Sequence, residues 1–200
     1  MLKSAGYELP KTILVHDFIS LNGQKISKSL GNIIRPSKLM KQFGTDAIRY
    51  YFLRFGPLRN DIDFTIEKFK EVYNADLANG LGNLVARVAK LCENSGFSFE
   101  AKTNLNLDKS VVAYLNRFEF NNALARLWTQ ISEADKKINE NKIWEQKGKT
   151  LKTSLQSLID IIQGIAYHLQ FFLPETAEKI LKQFQGPKIK SEAPLCPRLR

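Results

Sequence analysis

The chain has 200 residues, and 44% of them are hydrophobic, which is sufficient for a buried core. No apolar run reaches the ~20 residues of a membrane-spanning helix, so no membrane partner is expected. Lysine and arginine exceed aspartate and glutamate by 30 to 20, and the net charge of +10 favours a polyanionic partner such as nucleic acid. A basic protein that binds no polyanion can have the same charge balance, so net charge alone does not establish a nucleic-acid partner.

Cysteine and histidine are scarce. Cys92 and Cys196 are far apart and form no C-x-x-C pair, which predicts reduced thiols in a cytoplasmic protein. His16 and His168 are the only imidazoles, so no metal site is expected within this chain. His168 lies in the apolar run 165–172, which predicts a residue packed within a helix.

The first elements are a strand and a turn. Thr12 to Val15 are β-branched or apolar and follow Pro10, which predicts a strand over residues 11–20. His16 ends this apolar run, beside the basic loop at residues 25–32. Two roles are possible for it: contact with a nucleotide bound by that loop, or packing in the core. Asn22-Gly23 predicts a tight turn after the strand.

Residues 33–66 predict two short helices and a strand. Pro36 suits the first turn of a helix that continues to Phe43 and ends at Gly44. A second helix is predicted from Asp46 to Arg54. The alternation in Asp61-Ile62-Asp63-Phe64 predicts a short strand.

Amphipathic helices follow almost to the end. Thr65 is a good N-cap, and Asn94-Ser95-Gly96 is a good stop for a long helix. Its apolar stripe is Ile66, Phe69, Tyr73, Leu77, Leu81, Leu84, Val88 and Leu91. A connector at 97–107 precedes a short helix that Asp108 or Ser110 begins and that ends near Phe118.

Two more long apolar stripes extend over residues 120–138 and 151–169, and a last helix is predicted at 175–184 after Pro174. Four or five such helices with short connectors predict a helical bundle, and hence a mainly α fold. Residues 188–200 lack periodicity and are predicted to be a tail.

The segment Lys25-Ile26-Ser27-Lys28-Ser29-Leu30-Gly31-Asn32 is a basic, hydroxyl-rich loop. Two ammonium groups, two hydroxyls and a glycine-containing backbone suit a polyphosphate, although a surface Lys/Ser turn is the alternative. The string resembles the K-M-S-K-S signature of class I aminoacyl-tRNA synthetases, with Ile26 in the place of Met. The resemblance implies that Lys25, Ser27, Lys28 and Ser29 bind ATP phosphates. It also implies catalytic roles for Lys25 and Lys28, of which Lys28 is the better candidate for stabilising the pyrophosphate leaving group.

The run Tyr73-Asn74-Ala75-Asp76-Leu77-Ala78-Asn79-Gly80-Leu81-Gly82-Asn83-Leu84-Val85-Ala86-Arg87-Val88 is the second motif. It resembles methionyl-tRNA synthetases, at the helix that opens their anticodon-binding domain. Further matches are His16-Asp17-Phe18-Ile19, Gly44-Thr45-Asp46-Ala47-Ile48-Arg49-Tyr50 and Pro194-Leu195-Cys196-Pro197-Arg198. The resemblance therefore covers essentially the whole chain, in the family's order.

The resemblance implies an anticodon-binding set of Asn83, Arg87 and Trp144. Asn83 and Arg87 are spaced i,i+4, which places them on one helix face, although an ordinary solvated face has the same spacing. Trp144 lies in a polar connector, where an indole can stack on a base or merely anchor a loop. Ile143 precedes it where the family usually has proline. Trp128, beside Leu124 and Leu127, is predicted to be a core residue.

The expected fold is thus mainly α, with an anticodon-binding bundle preceded by a small α/β stem-contact segment and the last strand of a Rossmann-type catalytic domain. Residues 1–32 would end the catalytic domain, 33–66 form the stem-contact fold, 67–187 the bundle and 188–200 the tail. Enzymes of this family activate methionine with ATP, with Mg in the complete enzyme, and transfer it to tRNA(Met). The chain lacks the family's H-I-G-H-type motif and methionine pocket, so it is expected to be a C-terminal fragment that is inactive alone.

Three alternatives stay open on the sequence. The chain is also compatible with a stand-alone tRNA-binding module from a truncated synthetase gene. A structural or protein-interaction bundle with incidental basic charge would fail to bind tRNA at any salt concentration. Another class I synthetase would share the loop, and a tRNA panel would separate it.

Overall fold

Helices dominate the computed structural model, which describes residues 1–27, 31–56, 61–102 and 104–200. The α-helices are α1 Pro36–Phe43, α2 Thr45–Phe55, α3 Ile66–Val72, α4 Asn83–Ser95, α5 Lys109–Asn116, α6 Phe120–Glu140, α7 Gly148–Leu169 and α8 Pro174–Gln183. The strands are β1 Ile19–Leu21, β2 Gln24–Lys25 and β3 Ile62–Phe64. The predicted mainly α fold is confirmed. Across these described ranges, no helix is both long and apolar enough to cross a bilayer.

A small sheet precedes the bundle, with β1 between β2 and β3. The predicted Asn22-Gly23 turn is confirmed and joins β1 to antiparallel β2, and both of its residues have positive φ, +52° and +75°. β3 pairs in parallel with β1, and Ile62 lies opposite Ile19. The Asp63 carboxylate accepts the Gly23 N–H at 2.8 Å, which fixes the turn against β3.

The predicted strand over 11–20 is wrong for most of its length, because residues 12–18 are irregular and pairing begins at Ile19. Ile13 and Val15 are 79% and 80% exposed. A strand needs a neighbour for its backbone groups, and the described strand pairing does not reach residues 12–17, although the Phe18 carbonyl oxygen accepts the Ile62 N–H at 3.0 Å. His16 is exposed as well, with Nδ1 2.8 Å from the Asp17 carbonyl oxygen, so it does not pack in a core.

The long helix predicted from Thr65 is confirmed as α3 and α4 joined by a π-helical stretch, Tyr73–Gly82. Thr65 accepts a first-turn N–H at 3.1 Å, and Gly96, with φ +67°, ends the helix. The π-helical stretch was not predicted. A Cβ at Gly82 would lie 3.0 Å from the Leu77 carbonyl oxygen, so this wide turn favours glycine.

The core of the bundle is built from the predicted apolar stripes. Leu84, Leu127 and Leu158 are fully buried where α4, α6 and α7 pack together. Trp128 is half-buried and packs on Tyr50, with ring centroids 4.5 Å apart.

His168 is buried and confirms its predicted helix packing. Its Nε2 accepts the Asp108 N–H at 2.7 Å, and its Nδ1 lies 2.7 Å from the Gly164 carbonyl oxygen. The bond from Asp108 ties α7 to the N-cap of α5.

Residues 188–200 are irregular, as predicted, but they lie along the long helix. The Asn74 amide donates to the Leu199 carbonyl at 2.9 Å and accepts the Leu199 N–H at 2.8 Å. Lys70 donates to the Arg200 carbonyl at 2.7 Å, and Ile189 is buried. The segment is therefore part of the bundle and covers its long helix.

Candidate functional site

The base of the basic loop is closed by one side chain. Asn32 Oδ1 accepts the Ser27 N–H at 2.8 Å, and its Nδ2 donates to the Lys25 carbonyl oxygen at 3.0 Å. These two bonds hold the start and the end of the loop together. Sequence reasoning gave Asn32 no role, although an asparagine that bonds nearby backbone is typical of a closed loop.

Lys25 lies in β2 with its ammonium group 5.8 Å from the centroid of the Phe18 ring. It is exposed, and Gly31, at the other side of the loop, has a φ of +69°. Lys28 and Ser29 lie outside the described residues. Their predicted phosphate contacts, and those of Lys25 and Ser27, therefore stay predictions.

A second candidate site lies on the bundle, where two of the three predicted anticodon-binding residues are in contact. The Arg87 guanidinium carbon lies 5.4 Å from the centroid of the Trp144 ring, a cation–π distance. Trp144 sits in the short 3₁₀ turn Ile143–Glu145 between α6 and α7 and is 50% exposed. Ile143 is fully buried and anchors this turn, so the indole beside it projects from a fixed point.

Arg87 is held by two residues of α6 to which sequence reasoning gave no role. Its Nη1 donates to Asp135 Oδ1 at 3.0 Å, and its Nη2 donates to Asn139 Oδ1 at 2.7 Å. Asn139 Nδ2 also donates to Asp135 Oδ2 at 3.3 Å. The i,i+4 spacing of Asp135 and Asn139 on one predicted helix was the signal for a paired polar site.

Asn83 is exposed one helical turn before Arg87. Nearer the start of the long helix, polar side chains are engaged by other elements. Asp76 accepts the Tyr50 hydroxyl at 2.6 Å, and Asn79 accepts Arg198 Nε at 2.9 Å. Burial, followed by the hydrogen bond to Asp76, raises the pKa of Tyr50, so this phenol stays protonated. On this polar face Asn79, Asn83 and Lys90 are exposed, and Arg87 is partly buried.

Metal binding finds no support in the described ranges, where no three His, Cys, Asp or Glu side chains cluster closely enough to hold an ion. The basic loop offers ammonium and hydroxyl groups, and the site on the bundle offers guanidinium, amide and aromatic groups beside the Asp135 carboxylate. Such groups suit phosphates and nucleobases.

Comparison with known proteins indicates a class I tRNA synthetase. A family profile described as "tRNA synthetases class I (M)" matches residues 1–89, which include the basic loop, the sheet and the start of α4. The methionine–tRNA ligase of Clostridium perfringens is 37% identical, over 92% of this chain and 31% of its own length. That of Caldanaerobacter subterraneus is 34% identical, over 92% of this chain and 32% of its own length.

Solved structures show the same similarity to methionyl-tRNA synthetases. Mycobacterium tuberculosis methionyl-tRNA synthetase bound by methionyl-adenylate matches 98% of this chain and 46% of its own, with a TM-score of 0.80 and 25% identity. Over 92% of its length, the chain is therefore similar to methionine–tRNA ligases. It spans about a third of the length of the curated relatives it matches.

Proposed function

We propose that this chain is the part of a methionine–tRNA ligase that supplies the ATP-phosphate loop and binds the anticodon of tRNA(Met). The observation that carries the proposal is the contact between Arg87 and the exposed Trp144, one turn from Asn83. The complete enzyme activates methionine with ATP and Mg, releases pyrophosphate and transfers the methionyl group to tRNA(Met). As an enzyme of translation it works in the cytoplasm.

In this proposal the chain has four parts. Residues 1–32 end the Rossmann-type catalytic domain with its last strand and signature loop, and 33–66 form the stem-contact fold. Residues 67–187 form the anticodon-binding bundle, and 188–200 the C-terminal segment. The buried core that runs through the helices supports a bundle that folds as one unit.

The proposed binding of the anticodon rests on stacking and charge. A half-exposed indole offers a base an apolar face, and base–aromatic stacking contributes about 1–3 kcal/mol. The net charge of +10 attracts the RNA backbone irrespective of sequence. Asn83 supplies the amide group that distinguishes base edges by hydrogen bonds.

The loop acts by electrostatics. Lys25, Lys28 and the hydroxyls of Ser27 and Ser29 surround the ATP phosphates, and their donors compensate the charge of the departing pyrophosphate. Asn32 closes the loop at its base by hydrogen bonds to the backbone of Ser27 and Lys25.

The test of anticodon binding compares two RNA stem-loops with the same stem, one with a C-A-U anticodon and one with a scrambled loop. Binding to the 200-residue chain is measured at two salt concentrations, since phosphate contacts weaken with salt for both RNAs whereas base contacts set the difference between them. We expect a preference for C-A-U at both. Equal affinity of the folded chain for both loops would reject the proposal.

A second candidate is a stand-alone tRNA-binding module, which the single buried core shared by residues 39–189 favours. Both candidates predict that the 200 residues alone do not catalyse methionine-dependent ATP–pyrophosphate exchange, because the sequence holds no H-I-G-H-type motif. Exchange above a buffer blank that is lost in Lys28→Ala would contradict both. Restored exchange on mixing the chain with a separately produced catalytic half favours the synthetase fragment over the module.

A further inference from the structure

Arg87, Trp144, Asp135 and Asn139 form one connected cluster from three elements, α4, the 3₁₀ turn and α6, which we call the indole clamp. The guanidinium is planar and donates in a fixed fork geometry. Asp135 and Asn139 each accept from one of its terminal nitrogens. The fork therefore fixes the plane of the group that lies beside the indole.

We infer that Asp135 and Asn139 are positioning residues, which hold Arg87 against Trp144 so that the indole is presented for stacking on a base. The inference deepens the proposed function and rests on it for the identity of the ligand. In this arrangement Arg87 supports the indole, and its charge is largely compensated by Asp135 before RNA binds. Base stacking then uses the remaining exposed surface of Trp144.

The geometry favours this role over a phosphate contact by Arg87. A phosphate-binding arginine gains most when its charge is unpaired, whereas Arg87 and Asp135 form an ion pair at 3.0 Å whose side chains are only 28% and 39% exposed. The Asn139 amide also donates a hydrogen bond to Asp135, which holds the two acceptors of Arg87 in place relative to each other. The cluster thus fixes the direction of a ring that would otherwise depend on a three-residue turn.

The decisive pair of variants is Asp135→Ala and Glu133→Ala. Each removes one acid from α6 and changes the net charge by the same amount, but Glu133 is exposed and, two positions before Asp135, lies about 200° away round the helix. Removal of an acid by itself strengthens RNA binding, because the protein becomes more positive. Glu133→Ala is therefore expected to bind the C-A-U stem-loop equally or slightly more tightly. Asp135→Ala is expected to bind it roughly 2- to 5-fold more weakly, which corresponds to the loss of one exposed cation–π contact.

The clamp is also measurable without RNA. The chain has two tryptophans, so Trp128→Phe leaves Trp144 as the only indole emitter. In that background, acrylamide quenching of Trp144 fluorescence is expected to increase in Asp135→Ala and in Asn139→Ala, and to stay unchanged in Glu133→Ala. Arg87→Lys is expected to quench like Asp135→Ala, because an ammonium group keeps the charge but not the fork. Thermal melts verify that each variant is folded.

Two outcomes are separable. An Asp135→Ala chain whose indole is quenched no more than in Glu133→Ala, or which binds the stem-loop as tightly as Glu133→Ala, overturns the inference. If instead the wild-type chain binds C-A-U and scrambled loops equally, the proposed function fails, while the quenching comparison in the free chain still decides whether the clamp exists.

Discussion

The first 18 residues and the helical bundle use apolar side chains in opposite ways. Ile13, Val15 and Phe18 are largely exposed, whereas Leu127 and Leu158 in the bundle have no exposed surface. A helix satisfies its own backbone and needs only a neighbour for its apolar face, but a strand needs a partner for its backbone as well. Leu127 and Leu158 therefore belong to the buried core of the described residues, whereas Ile13, Val15 and Phe18 do not.

The largest expected effect is on stability. Leu127→Ala removes fully buried methyl groups and is expected to lower the free energy of unfolding by about 2–5 kcal/mol. Ile13→Ala, at an exposed position, is expected to change it by less than about 0.5 kcal/mol. Urea denaturation of the purified chain measures both. Similar losses in the two variants would show that the N-terminal segment is packed after all and would remove the contrast.

The signature loop follows the N-terminal segment, and its proposed role needs the catalytic half, so its effect should appear only in the complete enzyme. There, Lys28→Ala is expected to slow adenylate formation by about 2.7–4 kcal/mol in activation free energy, by analogy with the loss of a single oxyanion donor. Single-turnover adenylation measures the rate, and methionine binding should change little. Stem-loop binding by the isolated chain serves as the control and should be unaffected. An unchanged adenylation rate would make Lys28 an ordinary surface lysine.

Trp144 lies in the helical bundle, so the effect of its substitution on RNA binding should appear in the isolated chain. Trp144→Ala is expected to weaken binding of the C-A-U stem-loop by about 1–3 kcal/mol through loss of stacking on one base. Phe118→Ala, which removes another exposed aromatic ring between α5 and α6, is the matched control. Equal losses in both variants would indicate a general effect of exposed aromatic area rather than a site.

The smallest effect concerns a helix cap within the bundle. Asp108 accepts the Ser110 N–H at 2.8 Å, and hydrogen bonds from Ser110 hold the pKa of Asp108 below its ordinary value. Asp108→Ala is expected to cost about 1 kcal/mol of stability at pH 7.

The pH dependence of this cap follows from the direction of the shift. A lowered pKa in the folded state stabilises the fold above the unfolded value of about 3.9, and this contribution is lost as the pH falls through the folded value. The stability difference between wild type and Asp108→Ala should therefore shrink below about pH 4, as urea titrations at pH 7, 5 and 3 would show. Exposed Glu133→Ala should give no such pH-dependent difference.

Helices were the predictable part of the fold. Each long stripe of apolar residues became a buried face, and Thr65, Asp108 and Gly96 cap helices as their chemistry predicts. The prediction of a strand over residues 11–20 was wrong for most of its length. β-branched residues indicate only a preference for extended backbone, and pairing depends on a neighbouring strand that a single segment does not specify. Asn22-Gly23 succeeded because both residues tolerate the positive φ that the turn requires.

The spacing of apolar residues in the sequence contains a signal for the π-helical stretch. Phe69, Tyr73, Leu77 and Leu81 are spaced four apart three times in succession, wider than the 3.6 residues of an α-helical turn. Wide turns keep such a row on one face, and these four side chains are all buried.

At the candidate site, the residue types of Arg87 and Trp144 were predictable from resemblance, but their contact was not. It depends on how α4 lies against α6 and on the turn before α7, which are set by core packing. Asp135 and Asn139 escaped notice because a polar pair on a solvated helix face is common, and only the position of Arg87 gives it a role.

The double hydrogen bond between Asn74 and Leu199 has a consequence for the order of folding. It joins residues 125 positions apart, and it covers the helix that starts the bundle with residues that are synthesised much later. Closure of such a long loop is entropically expensive and slow relative to local helix formation. During synthesis, one side of the long helix therefore stays uncovered until the residues around Leu199 have been translated. In that interval its exposed apolar surface is a natural target for chaperones.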